Sequence, residues 1–146
     1  MLRFALCLAA LTLATLTVGC ADLLDFLPPD QVTVRLVNDA DFDVEVDLFI
    51  SDEQDVPRAV LTELGTPLQY TIAPGETVTF SRRCDDLQAL VIDRAKLVLL
   101  GQIGPEADTD VLRDGTNYHC GDTIVLTFDH SVLLADFAIA VAVQPP

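Results

Sequence analysis

Asp39-Ala40-Asp41-Phe42-Asp43-Val44-Glu45-Val46-Asp47-Leu48 is the most regular stretch of the chain. An acid occupies every second place and an apolar or small residue fills each place between. Side chains of a β-strand alternate between its two faces. The part of this run that forms strand therefore lays its acids on one face and its apolar groups on the other. Neighbours on one face of a strand lie roughly 6.5–7 Å apart, so a column of like charges is costly unless water, cations or basic groups on the next strand offset it. Arg35 is the candidate offset if the first two strands form a hairpin. An EF-hand needs glycine at its sixth place and an acid at its twelfth. Counted from Asp39 those places hold Val44 and Ile50, which excludes that loop.

Working outward, residues 31–37 alternate in the same way, with Val32, Val34 and Leu36 on one side, and Asn38-Asp39 marks a turn. After the polar connection 51–57, Arg58 to Leu64 reads equally as a short strand or a helical turn. Residues 68–72 and 77–81 read as a hairpin around Ala73-Pro74-Gly75-Glu76, where proline fixes φ and glycine accepts φ > 0. Residues 89–92 and 96–103 read as a strand pair around Asp93-Arg94-Ala95. Residues 104–122 are the longest irregular region, and 123–128 alternate again. The apolar run 132–143, broken only by Asp136, is too short to span a bilayer and reads as a central, buried last strand. Eight or nine short strands with frequent turns predict an all-β fold, a single antiparallel β-sandwich of immunoglobulin-like or related type. The core tryptophan of immunoglobulin domains is missing, since the chain has none.

A length of 146 residues suits one domain. Eight Lys+Arg stand against 23 Asp+Glu, a formal net charge of −15. A chain this acidic repels phosphate backbones, which excludes nucleic acid as a partner and disfavours direct docking on anionic headgroups. Calcium, cationic partners and simple solubility remain.

The first twenty residues differ in character. Arg3 is their only charged side chain, and 4–18 are apolar apart from three threonines. That length is short of the roughly 20 residues of a spanning helix and fits the core of a signal peptide. On these residues alone an ordinary cleaved leader and an uncleaved anchor stay open. The ending Leu16-Thr17-Val18-Gly19-Cys20 resembles the lipobox of bacterial lipoproteins, with Thr17 departing from the more frequent leucine. The resemblance implies that residues 1–19 are a lipoprotein signal peptide. Cys20 would then carry a diacylglycerol on its sulfur and become the acylated N-terminus. Residues 20–30 would be a short tether and 31–146 the sandwich. The protein would be held in the bacterial cell envelope through its lipid, and Ala21 in place of the inner-membrane aspartate favours the outer membrane. Leu23, Leu24, Phe26 and Leu27 make the tether too apolar for a solvated linker. It is expected to lie at the bilayer interface, to pack on the domain, or to form a short helical turn ended by Pro28-Pro29.

An exported domain with two cysteines usually joins them, so Cys84 and Cys120 are expected to form a disulfide. His119 and His130 are the only histidines and lack zinc spacing. A cupredoxin-type copper site fails because the sole methionine is Met1. None of Ser51, Ser81 and Ser131 sits in a nucleophile elbow. Glu106, Asp108, Asp110 and Asp114 form a second acidic cluster, in a loop where carboxylates converge on calcium more easily than on a strand. The segment APGETVTFSRRCDDL resembles small exported bacterial proteins, a resemblance that implies no activity. The expectation is a non-catalytic envelope module without a cofactor, partnered by an envelope protein or polysaccharide. Its alternatives are a calcium-dependent binding module and a hydrolase with an unrecognised site.

Overall fold

The computed structural model describes residues 30–99, 102–130 and 136–146. Within them the order is β1 (Gln31–Asn38), β2 (Asp43–Ser51), α1 (Arg58–Leu64), β3 (Thr66–Ile72), β4 (Thr77–Arg83), β5 (Ala89–Leu99), β6 (Gln102–Ala107), β7 (Leu112–Arg113), β8 (Thr123–Asp129) and β9 (Ala138–Gln144). The strands form two sheets, a β-sandwich as expected. One sheet has the order β4-β1-β8-β9. The other has the order β3-β2-β5-β6, with β7 also paired to β5. The pairings are antiparallel except that β1 and β8 run parallel, so the first sheet is mixed.

Strict alternation places the core. Val32, Val34 and Leu36 of β1 face Val44, Val46, Leu48 and Ile50 of β2 across the interior, joined by Ile124, Leu126 and Phe128 of β8. Facing sheets pack roughly 10 Å apart, and the interleaved aliphatic rows fill that layer. A second, smaller cluster lies on the outer side of the β2–β5 sheet. There Val56 and Leu61 cover Ala89 and Val91, with Phe49 and Val111 against them. This resolves the ambiguous 58–64 segment. It is a helix because Leu61 has an apolar patch to bury, and Gly65 allows the chain to turn tightly back over Leu61.

Four expectations need correction. The turn at Ala73-Pro74-Gly75-Glu76 forms as expected, with Gly75 at φ 72° and the Glu76 amide donating to the Ala73 carbonyl at 3.0 Å. It joins no hairpin, however. β3 pairs with β2 and β4 with β1, so the turn is an arch between sheets. Local turn chemistry sets the reversal but not which neighbour each strand takes. The β1–β2 connection is also an arch. Arg35 therefore lies opposite Thr79 and Val125, away from the acidic column.

Residues 89–99 are a single strand with a bulge in place of the pair expected around residues 93–95. The register with β2 passes from Asp47↔Arg94 to Leu48↔Ile92, which leaves Asp93 as the extra residue. The bulge shifts the inward parity from Leu90 and Ile92 to Ala95 and Leu97, a break that reads as a turn in the sequence. Finally, the last strand is an edge and mostly exposed. Its apolar composition reflects partial packing of Ile139 and Val143 on the core, not a central place.

Candidate interaction surface

The acids of the opening stretch do form a column where the chain is strand. Glu45 and Asp47 stand on the outer face of β2, while Asp39 and Asp41 precede it. Basic groups on the next strand offset the column, and they come from β5. Lys96 Nζ lies 2.7 Å from Glu45, and Arg94 lies 2.6 Å from Asp47. Hydrogen bonding to Asp47 raises the Arg94 guanidinium above its ordinary range. Gln69 of β3 donates to the other Asp47 oxygen at 2.9 Å. Between these rows runs a shallow groove of about 300 Å³, lined by acid, base and amide side chains.

The Asp93 bulge carries a second polar centre. Arg58 at the start of α1 reaches Asp93 at 3.3 Å and Asp108 at 3.0 Å, and it also donates to the Thr109 carbonyl. Thr109 is buried. Its hydroxyl accepts from the Ile92 amide at 3.0 Å, and its own amide donates to the Ile92 carbonyl at 3.1 Å. One loop residue thereby serves both backbone groups of Ile92 in the gap between β6 and β7.

The four acids of the second cluster occupy different settings. Glu106 lies on β6 opposite Lys96, and Asp108 is held by Arg58. Asp110 is exposed, and the Asp114 amide donates to the Gln88 carbonyl at 2.9 Å. Among the described residues no group of three or more His, Cys, Asp or Glu side chains converges in a way that could hold a metal ion. His119 is largely exposed in the loop beside Asp122. His130 is largely buried against Phe42 and accepts from the Asp41 amide at 3.1 Å, a structural role.

Cys84 and Cys120 form a disulfide, with Cα atoms 5.4 Å apart. It lies where the described chain begins. The Cys84 amide donates to the Asp30 carbonyl at 2.9 Å, and the Gly121 amide donates to the Gln31 carbonyl at 3.2 Å. Cys20, the remaining site residue expected from sequence, lies outside the described residues, as do the leader and the apolar part of the tether.

The two open sides of the sandwich differ. On the β3–β4 side, Tyr70 and Phe80 stack across the sheets with centroids 6.0 Å apart, and Arg82 lies over the Phe80 ring. Partial burial, opposed by Arg82, raises the Tyr70 phenol above its ordinary range. On the β9 side β6 of the facing sheet approaches β9, with no aromatic pair between them among the described residues. Val141 pairs with the core residue Leu126, so it faces the inter-sheet layer, yet it is 41% exposed. Sequence reasoning missed this surface because it took the strand to be central. It also missed Arg58 and Thr109, which have no recognisable spacing.

These features define an all-β sandwich with a polar outer face and, among the described residues, an unpaired strand edge at β9. No family model matches the chain, and no curated protein matches it. Several solved structures are similar. One is the type VI secretion lipoprotein TssJ1 from Pseudomonas aeruginosa, at 15% identity over 82% of this chain and 99% of that one, with a TM-score of 0.45. Another is the membrane-binding domain of pneumolysin, at 9% identity over 80% of this chain and 99% of that one, with a TM-score of 0.48. A third is a protein from Eubacterium rectale, at 12% identity over 77% and 88% of the two chains, with a TM-score of 0.45. At these identities and scores the likenesses assign no activity to this chain.

Proposed function

We propose that this chain is a lipid-anchored protein of the bacterial cell envelope, in which the sandwich is a non-catalytic structural or interaction module. The observation that carries the reading is the Cys84–Cys120 disulfide at the mouth of the domain. Such bridges persist in oxidising compartments, which agrees with the export implied by the lipobox-like Leu16–Cys20 segment. In support of a non-catalytic role, His130 is occupied in packing and His119 stands exposed in a loop. The polar outer face and the edge of β9, unpaired among the described residues, supply surfaces for a partner.

Two measurements test this. Replacing Cys20 with Ser should move the protein from the membrane to the soluble fraction, and retention in the membrane would overturn the anchor. Crosslinking in intact cells should join the exported protein to another envelope component, and recovery of uncrosslinked monomer alone would overturn the interaction role.

A further inference from the structure

We propose that the free edge of β9 is a docking edge, and that its occupant is an extended segment of a cationic partner protein with apolar side chains at alternate positions. This rests on the interaction-module reading and names the kind of partner.

Sheet edges present unpaired backbone groups, and proteins guard them with proline, charge or a covering element. Among the described residues the other sheet margins carry proline or charge within the strand. β3 contains Pro67, β6 contains Pro105 beside Glu106, and β4 ends in Arg82-Arg83. β9 reads Ala-Ile-Ala-Val-Ala-Val-Gln, without charge or proline inside the strand, although Pro145-Pro146 follow it, in a chain of net charge −15. Among the described residues nothing pairs with its outer side.

The side chains indicate what is missing. Ile139, Val141 and Val143 lie opposite Phe128, Leu126 and Ile124, all core residues, so this row faces the inter-sheet layer. Val141, in the middle of the row, is nonetheless 41% exposed. A strand added beside β9 would cover it with its own inward apolar residues. Backbone pairing then supplies affinity and the alternate side chains supply selectivity.

Charge selects the occupant. A second copy would bring a body of the same formal net charge of −15 against this one, which like-charge repulsion opposes. A cationic partner meets attraction instead. The exposed Asp129 and Asp136 lie at the Ala138 end of the edge, where a partner lysine or arginine would sit.

The test uses the full exported chain in detergent and a capped peptide of alternating threonine and valine with lysine at each end. Amide exchange across 138–144 should slow at least tenfold on saturation with peptide. Affinity should fall at least tenfold in Val141→Lys and stay unchanged in Thr79→Lys, which adds the same charge at the β4 margin. Val141→Thr, which keeps the β-branched shape, should weaken binding severalfold while folding normally. Protection at another edge, or none, overturns the proposal. So does protection of β9 without peptide, whether it grows with protein concentration (a second copy) or disappears when residues 21–29 are deleted (the chain's own segment). The peptide assay needs no envelope partner. If it fails while crosslinking in cells succeeds, the module reading stands and only the β9 assignment falls.

Discussion

Asn38 Nδ2 donates a 2.8 Å hydrogen bond to the carbonyl of Ile72, tying the end of β1 in one sheet to the end of β3 in the other. The same amide donates to the Phe42 carbonyl at 2.9 Å, and its oxygen accepts from the Ala40 amide at 2.9 Å. The Asn38 backbone meanwhile bonds Glu76 and Gly75 of the arch. The side chain is fully buried, so removing it strands several backbone groups, each at a penalty of about 1–3 kcal/mol. Asn38→Ala should lower unfolding stability by about 3 kcal/mol in a denaturant titration. Asn38→Asp should not restore it, because a carboxylate cannot donate to Ile72 or Phe42.

Reducing the disulfide should also destabilise the fold. Cys84 and Cys120 are separated by 36 positions, for which the chain-entropy model gives about 4 kcal/mol. A Cys84→Ser, Cys120→Ser double variant should melt at lower temperature than the oxidised protein. Adding reductant should lower the melting temperature of the parent and leave the variant unmoved.

Tyr118 should make stability depend on alkaline pH. Burial raises its phenol above the ordinary range, and its hydroxyl donates to the Leu87 carbonyl at 2.9 Å. In the unfolded chain the phenol ionises near pH 10. The folded state holds its proton beyond that point, so the unfolded state binds fewer protons and stability falls as pH rises above about 10. Below that pH the contribution is fully present. In Tyr118→Phe the slope of stability between about pH 10 and 11.5 should flatten, and a slope equal to the parent's would assign the effect elsewhere.

Arg58 is one-third exposed, so its two ion pairs are screened and weigh less than their distances suggest. Its larger effect is local, because it holds the Thr109 loop that serves Ile92. Arg58→Ala should cost about 1 kcal/mol globally yet speed amide exchange at Ile92 and Thr109 by more than that implies. Uniform acceleration across the sheet would contradict this.

The column on β2 should respond to salt. Lys96 separates Glu45 from net repulsion by its neighbours, so Lys96→Met should destabilise the protein by up to about 1 kcal/mol at low ionic strength. Raising salt to about 1 M, where the Debye length is about 3 Å, should recover most of that loss. A loss independent of salt would show that Lys96 acts through packing of its aliphatic stem.

The sandwich was legible because period-2 alternation survives wherever one face of a strand is buried. The β1, β2 and β8 cores could be read residue by residue, as could the turn at Pro74-Gly75. Strand partners could not, because each partner is chosen by contacts distant in sequence. The β3–β4 arch and the edge place of β9 are the clearest cases. The bulge at Asp93 hid β5 by shifting its parity, and α1 hid because a single buried leucine has no period. Of the candidate site residues, Cys84 and Cys120 were legible from compartment logic. Asn38 showed only as a turn signal, although an asparagine ending an apolar strand pattern is also a natural bridge for orphaned backbone groups.

The place where the chain enters has a mechanical consequence. β1 begins directly after Asp30 and lies between β4 and β8, paired over seven positions with one and six with the other. A pull on the chain ahead of Asp30, directed along β1, therefore loads both ladders in shear. All their hydrogen bonds share the force, and none can be peeled away singly. The Cys84–Cys120 bridge clasps the strand ends on either side of that point. The domain is thus built to resist extraction from its N-terminal end, and β9, at the far edge of the same sheet, stays out of the loaded path.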